Sequence, residues 1–189
     1  MPRPTRQQID DEIIDTSALL FARHGVQETS VQRIADAVGY SKGGLLRHYP
    51  SKEALQEAVV SSCLSELKEV ALAASGSAPG PERDRVTLTG LAHMAVRRPG
   101  FIALLLSTLL RDPADPESEA LHPIREIVAD AFALQPGLDL DRAVRVAGAT
   151  GALAVARTAL RDQLSADAAE HLINVSYDAL GHHSSSAHE

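Results

Sequence analysis

The chain has 189 residues, of which 44% are hydrophobic and only 3% aromatic, with no Trp; this length suits one compact helical domain with a small appended one. Its core must therefore be built mainly from Leu, Val, Ile and Ala, which favours helices. The single cysteine, Cys63, excludes an internal disulfide and a cysteine-based zinc site. No apolar run resembles a signal sequence or a membrane span of about 18 residues, so we expect a cytoplasmic protein without membrane association.

Acidic residues are unevenly distributed along the chain, whose formal net charge is -7. Residues 1–63 carry 7 Lys and Arg against 8 Asp and Glu, whereas the remainder carries 11 against 17. This balance excludes a generic polybasic nucleic-acid binder. It predicts that any contact with DNA is confined to one small face near the amino terminus, while the bulk of the protein is repelled.

Helical spacing of apolar residues recurs along the chain, and no convincing period-two alternation indicates a strand. We predict an all-α fold of about nine helices. The first helix is expected from about residue 6 to residue 23, where Gly25 closes it.

Two short amphipathic helices follow, joined by a turn that contains a glycine. The second helix has apolar residues at i, i+3, i+4 and i+7, begins at a cap provided by Thr29 or Ser30, and stops at Gly39. Ser41 caps a third helix that ends before Pro50. Such a pair is a helix-turn-helix, and residues 1–50 are predicted to form a DNA-binding domain.

A long fourth helix is predicted over about 52–74 because an apolar stripe runs through it unbroken. This bridging helix opens a second helical domain, residues 51–181, with further helices near 82–97, 100–111, 116–134, 140–161 and 166–180. Asp139 and Ser165 are the expected caps of the last two helices, and Pro123 is expected to kink its helix or delay its start. Residues 182–189 have no apolar periodicity and are predicted to be a disordered tail.

The run from Thr29 to Leu55 contains three motifs in order: Ser-Val-x-x-Ile-Ala, Val-Gly-x-Ser-Lys-Gly and His-Tyr-Pro-Ser-Lys-Glu-x-Leu. It resembles the amino-terminal DNA-binding domain of the tetracycline-repressor (TetR) family, over about residues 6–60; the remainder is similar only in length, helical content and order. The resemblance implies a regulator, predicted to be a repressor, that binds double-stranded DNA at a palindromic operator as a homodimer and is released by a small apolar or amphipathic effector. No catalytic site, metal or cofactor is expected.

The predicted DNA contacts follow from the needs of a recognition helix that enters a major groove about 12 Å wide. Small residues allow close approach, polar and cationic groups bind phosphates, and long side chains read base edges. The whole set is Thr29, Ser30, Gln32, Ser41, Lys42, Gly43, Gly44, Arg47, His48, Tyr49 and Lys52.

Base reading is assigned to Gln32, Lys42, Gly44 and Arg47. Two alternatives stay open: Arg47 binds either a guanine or a phosphate, and His48 either touches phosphate or packs beneath the third helix. The chain departs from the family at Gly44 and Leu46, where a Thr and an aromatic residue are usual. These changes remove a hydroxyl and a ring often used on the DNA backbone, which Arg47 is expected to compensate.

The second domain is expected to bind the effector and to dimerise. Polar groups among apolar ones are typical of a small-molecule pocket, and the candidates are Leu67, His93, Met94, Arg97, Phe101, Leu104, Leu105, Thr108 and Ile127. His93 is either a pocket residue or an ordinary core residue. The predicted dimer interface is a four-helix arrangement of the last two helices and their mates, formed by Val146, Ala149, Leu153, Ala156, Leu172, Ile173, Ser176 and Leu180; the alternative is that this surface packs within one chain.

Cys63 lies on the apolar stripe of the fourth helix and has no basic neighbour within a turn that would lower its pKa. We therefore predict a packing role rather than redox sensing. The alternative to a regulator is a helical protein that sequesters small molecules and whose amino-terminal domain has lost DNA binding, as Gly44, Leu46 and the charge of residues 1–63 suggest.

Overall fold

The computed structural model describes residues 5–111, 116–135, 137, 139–159 and 168–182. These ranges hold nine helices and no strand: α1 (Arg6–His24), α2 (Val31–Ala37), α3 (Lys42–His48), α4 (Lys52–Ser75), α5 (Pro81–Arg97), α6 (Pro99–Leu110), α7 (Pro116–Ala131), α8 (Leu140–Ala159) and α9 (Ala168–Ala179). The all-α prediction and the helix order are confirmed. None of the described helices combines the length and apolarity that crossing a membrane requires.

The first four helices each begin at a Ser or Thr whose side-chain oxygen accepts a hydrogen bond from an otherwise unpaired amide of the first turn. In α1 this is a capping box, because Gln8 Oε1 also accepts from the amide of Thr5 at 2.8 Å. The four side-chain acceptors are Thr5, Ser30, Ser41 and Ser51, with oxygen–nitrogen distances of 3.2, 3.1, 3.0 and 3.1 Å. Local sequence therefore determines where these helices start.

The core of the amino-terminal region lies where α1, α2, α3 and the start of α4 meet. Its largest members are Ile13, Phe21, Ile34, Leu45 and Leu55, each at most 2% exposed. The predicted apolar stripe of α4 continues this core into the larger domain, since the buried residues of α4 recur along its whole length. One continuous cluster of buried side chains thus joins the two regions.

The carboxyl-terminal end of the described chain corrects one prediction and confirms another. His182 was expected to lie in a disordered tail, but its Nε2 lies 2.7 Å from Oδ2 of the buried Asp84, and its ring stacks on Tyr177 with centroids 4.8 Å apart. Asp139 caps α8 as predicted, accepting from the amide of Arg142 at 3.0 Å. Residues 183–189 and the predicted cap Ser165 lie outside the described residues.

Helix α7 starts at Pro116, seven residues before Pro123, and runs through that position. Pro123 therefore does not delay the start of the helix, which was one of its two expected effects.

Candidate nucleic-acid interface

Helices α2 and α3 are joined by a tight turn that depends on one glycine. Gly39 has a φ of 72°, in the left-handed region that glycine enters without a steric penalty. Its amide donates to Asp36 O at 3.3 Å, and the amide of Tyr40 donates to Ala35 O at 2.8 Å, which closes the carboxyl end of α2. The buried Ile34 and Leu45 then hold the two helices together. The predicted helix-turn-helix geometry is present.

The outer face of α3 is exposed, open and positively charged. Lys42, Gly43 and Arg47 are all exposed, and a Cβ added at Gly43 would meet no atom within 4 Å. Residues 29–52 contain four Lys and Arg but one acidic residue, Asp36. In a chain of net charge -7, this face is therefore a local exception to which phosphates are attracted.

Gly44 has a different role from Gly43. A Cβ at this position would lie 3.2 Å from Ser41 Oγ and 3.5 Å from Tyr40 Cδ1. Ser41 Oγ is the atom that caps α3 by accepting from the amide of Gly44. The glycine at position 44 therefore makes room for the cap of its own helix, a reason for its small size that the prediction of close approach to DNA did not include.

Two of the predicted contact residues are engaged inside the domain. Thr29 is fully buried; its Oγ1 donates to Gly25 O at 2.7 Å and its amide donates to Val26 O at 3.3 Å. Its predicted contact with DNA is corrected to a structural role in the α1–α2 loop. Lys52 Nζ donates to Val26 O at 3.0 Å and to Gln27 O at 3.1 Å, so its predicted phosphate contact would share an ammonium group already bound to this loop.

His48 lies beneath α3, as the second of its two alternatives proposed. Its Nδ1 is 3.0 Å from Asp10 Oδ1, and its ring meets Tyr40 edge-on with centroids 5.9 Å apart. Next to it, burial, followed by the charges of Asp10 and Asp11, raises the pKa of Tyr49 above its ordinary value. The Tyr49 hydroxyl therefore keeps its proton at neutral pH and is available to donate to a phosphate oxygen.

Helix α2 contributes two exposed polar side chains next to each other. Gln32 Nε2 donates to Asp36 Oδ1 at 2.6 Å, which orients the amide. Arg33 is also exposed, a cation that the predicted contact set did not include. The periodicity of the sequence does not distinguish Arg33 from surface residues of other helices. Only its position in the basic segment, residues 29–52, indicated a role in binding DNA.

The sequence profile described as "Bacterial regulatory proteins, tetR family" matches residues 13–59. This range contains most of α1, all of α2 and α3, and the beginning of α4. Residues 13–59 therefore have the sequence of a TetR-family DNA-binding domain.

Individual relatives resemble the chain over different lengths. The HTH-type transcriptional repressor KstR2 of Rhodococcus jostii (strain RHA1) is 39% identical over 56 residues, which are 30% of this chain and 28% of that protein. The solved structure of the ketosteroid transcriptional regulator KstR2 of Mycobacterium tuberculosis has a TM-score of 0.59 at 19% identity, and the match covers 95% of each chain. A TetR-like regulator from Rhodococcus sp. RHA1 has the same TM-score at 21% identity, over 95% and 99% of the two chains.

The sequence match and the structural matches cover different shares of the chain. The sequence match spans less than a third of the curated repressor's own length. The structural matches extend over nearly the whole chain, but at their low identity they show the fold alone.

The predicted effector residues divide between core and surface. Most of them lie in the core: Leu67, Met94, Phe101, Leu104, Leu105 and the polar Thr108 are at most 3% exposed, and Ile127 is half-buried. His93 and Arg97 are exposed instead, and Arg97 binds Glu66 Oε2 at 3.2 Å. Because they lie four residues apart, they share the outer face of α5, which corrects the prediction that they line an interior pocket.

The predicted dimer residues are buried within one chain. Val146, Ala149, Leu153, Leu172, Ile173, Ser176 and Leu180 are at most 8% exposed, and Ala156 is half-buried. Helices α8 and α9 pack on each other and on α5 and α6 through this surface. The alternative that this surface packs within one chain is therefore the one observed.

Proposed function

We propose that this TetR-family protein is a ligand-responsive transcriptional repressor that binds a palindromic operator as a homodimer and is released by a small apolar or amphipathic effector. The observation that carries the proposal is the exposed cationic face of α3 in an otherwise acidic chain. Acidity elsewhere repels DNA and leaves this face as the docking surface. We place the activity in the cytoplasm, where the chromosome is accessible.

In the proposed complex, α3 lies in the major groove. Lys42, the exposed Ser41 and the protonated hydroxyl of Tyr49 bind phosphates, which fixes the register of the protein on the duplex. Arg47, exposed on the last turn of α3, and Gln32 read base edges. Gly43 provides the open surface through which the backbone approaches the groove.

For the dimer we propose the exposed face of α8 and α9. Val144, Gly148, Gly151 and Val155 follow the spacing i, i+4, i+7 and i+11, which puts them on one side of α8. Val144 and Val155 are 61% and 55% exposed, and added Cβ atoms at the two glycines would meet nothing within 4 Å. Val175 of α9 is 60% exposed. Small residues flanked by exposed valines are suited to close packing of helices across a twofold axis.

Analytical ultracentrifugation tests this interface. We expect Gly148→Glu and Val175→Glu to convert the dimer to a monomer, because each buries a charge at the proposed contact. Leu72→Glu is the matched control, since Leu72 of α4 is 75% exposed but lies outside the proposed face. A dimer that survives both substitutions, or one that Leu72→Glu disrupts equally, would contradict the assignment.

A cavity of about 790 Å³ between the end of α7 and the start of α8 is the proposed effector site. Its volume falls within the range of small-molecule sites, and its lining is mainly apolar, from Pro79, Ala129, Ala133, Leu134, Leu140 and Ala143. Gln135, Asp139 and Arg142 supply the polar edge. Arg142 is held in place by Asp84 and by Phe132 O, so the polar edge is formed before any ligand binds. This composition supports an amphipathic effector.

Native mass spectrometry of the purified protein tests the cavity. A molecule that co-purifies with the wild type is expected to be lost from Ala143→Trp, which fills the cavity, and retained by Ala73→Trp, which changes an exposed position of α4. Retention in both variants would place the effector elsewhere.

The proposed mechanism requires that the effector bind more tightly to a state in which α4 has moved, because only differential affinity shifts an equilibrium. Since α4 belongs to the core of both regions, its movement would change the spacing of the two recognition helices. DNA would then be released.

DNase footprinting on the DNA upstream of the protein's own gene, together with affinity measured against salt, tests DNA binding. Lys42→Ala and Arg47→Ala are each expected to weaken binding and, if the residue binds a phosphate, to reduce the log-log salt slope by about 0.9. Lys68→Ala, which removes an exposed cation from α4, should leave both unchanged. No footprint, or a salt-independent affinity, would favour the sequestering protein instead.

A further inference from the structure

Helix α6 begins without a cap of its own. Its N-cap residue is Arg98, which makes no side-chain hydrogen bond to the first turn. The missing acceptor comes from α1, because Asp15 Oδ1 accepts from the amide of Gly100 at 2.9 Å. A helix of the larger domain is thus capped by a carboxylate of the DNA-binding region, 85 residues away in sequence.

The backbones of α1 and α6 approach very closely at this point. A Cβ built on Gly100 would overlap the main-chain oxygen of Asp15 and lie 2.8 Å from its carbonyl carbon. Glycine is therefore required here for the cap to form. We call the contact between Asp15 and residues 98–100 the α1–α6 junction.

Arg98 reinforces the junction on the other side. Its guanidinium donates to Asp11 O at 2.9 Å and to Glu66 Oε1 at 3.1 Å, and it also pairs with the Asp11 carboxylate. It therefore ties α1 and α4 to the turn between α5 and α6. Any displacement of α6 must either carry α1 with it or break these bonds.

The carboxylate of Asp15 has no partner of opposite charge at hydrogen-bond distance within the described chain, because Arg98 donates to Asp11 and Glu66 instead. The charged and titratable groups that face it are Glu66 and the Cys63 thiol on α4 and Arg98 before α6. Burial is the largest effect and raises the pKa of Asp15 to about 6, although the Gly100 amide and the Arg98 charge oppose it. At neutral pH the junction therefore holds a carboxylate whose desolvation is incompletely compensated.

We propose that Asp15 is a positioning residue for the DNA-binding region. Its side chain holds α1 on α6 by capping α6. Because its carboxylate is poorly solvated, the α1–α6 junction is poised to open. The inference rests on the proposed function, since opening the junction frees α1, and with it α2 and α3, to change position relative to α6. The contact between Asp15 and Gly100 therefore determines whether the α1–α6 junction is closed or open.

The stability of the protein depends on pH because the pKa of Asp15 differs between the folded and the unfolded state. The pKa of Asp15 is about 6 in the folded protein and about 3.9 in an unfolded chain, so between these values the folded protein binds more protons. The stability that this residue contributes therefore falls as the pH rises from about 4 to about 6. Asn at this position keeps the Oδ1 acceptor, cannot ionise and removes the dependence.

Thermal unfolding of the full chain at pH 7.5 and 5.0, with amide hydrogen exchange of the segment containing Gly100, tests the proposal. We expect Asp15→Asn to raise Tm about twice as much at pH 7.5 as at pH 5.0, and to slow Gly100 exchange at neutral pH. Asp15→Ala, which removes the acceptor, should speed that exchange and lower Tm at both pH values. Asp141→Asn, in an exposed pair with Arg145 on α8, is the control and should produce no pH-dependent difference in Tm.

DNA binding by the same variants distinguishes the positioning role of Asp15 from the proposed function as a repressor. If wild-type protein binds its upstream DNA, binding should change Gly100 exchange in the wild type and change it less in Asp15→Asn. Normal DNA binding combined with identical exchange and pH profiles in wild type and Asp15→Asn would overturn the positioning role while leaving the proposed function intact. Failure of the wild type to bind DNA would overturn the proposed function, and the exchange and pH data on the free protein would still decide whether Asp15 holds the junction.

Discussion

Gly43→Ala separates the stability of the recognition helix from its use on DNA. Gly43 is the second residue of α3, and an added Cβ would meet nothing within 4 Å. Alanine in a helix is favoured over glycine by about 0.5–1 kcal/mol. For a chain of this size 1 kcal/mol corresponds to about 2–4 °C in Tm, so we expect the free protein to become more stable by about 1–4 °C.

The same methyl group should weaken DNA binding. If the face of α3 at Gly43 lies against the groove, the methyl enters a closely packed contact, and overpacking of this kind costs about 1–3 kcal/mol. This corresponds to an affinity about 5- to 150-fold lower. The salt slope should stay unchanged, because the substitution removes no charge.

Thermal unfolding and fluorescence anisotropy with the footprinted DNA measure the two effects on one sample. Gly44→Ala is the matched control, since its methyl would lie 3.2 Å from Ser41 Oγ and disturb the α3 cap; it should gain little or no stability. Unchanged DNA affinity of Gly43→Ala would refute the placement of this face in the groove. A loss of stability would refute the reasoning about open space.

Three further outcomes are expected. Lys52→Met keeps the apolar stem but removes the ammonium bound to two main-chain carbonyls, and should lower the free energy of unfolding by about 1–2 kcal/mol in urea titrations; unchanged stability would mean that these bonds contribute nothing. Burial raises the pKa of Cys63 to about 12, so the native protein should not react with a thiol reagent at pH 8, whereas the urea-unfolded chain should; rapid reaction of the native protein would contradict the packing role. Ser176 has a buried hydroxyl without a hydrogen-bond partner in the described structure, so Ser176→Ala should raise stability by about 1 kcal/mol, and a loss would reveal a partner.

The amino-terminal region was largely predictable because its determinants are local. Ser30, Ser41 and Ser51 each cap the helix that follows them, and Gly39 closes the turn with a positive φ. Such contacts join residues three or four positions apart, so spacing in the sequence carries the information. The family motifs lie in the same segment.

Tertiary packing determines which side of a helix is buried and which is exposed. Helix α8 has two apolar stripes, one through Val146 and Leu153 and one through Val144 and Val155, and residues two positions apart lie about 200° apart around a helix. Sequence spacing predicts both stripes equally. Only the positions of α5, α6 and α9 show that the first is buried and the second exposed.

The helix order, several helix caps and the helix-turn-helix with its TetR-type motifs could therefore be predicted from local sequence patterns. The meeting of distant polar groups depends instead on tertiary packing: Asp15 lies at the start of α6, and His182 lies on Asp84, 98 positions away. No periodicity encodes such contacts, because they depend on how whole helices are arranged around the core. The helix-turn-helix could be predicted from the sequence, whereas the α1–α6 junction could not.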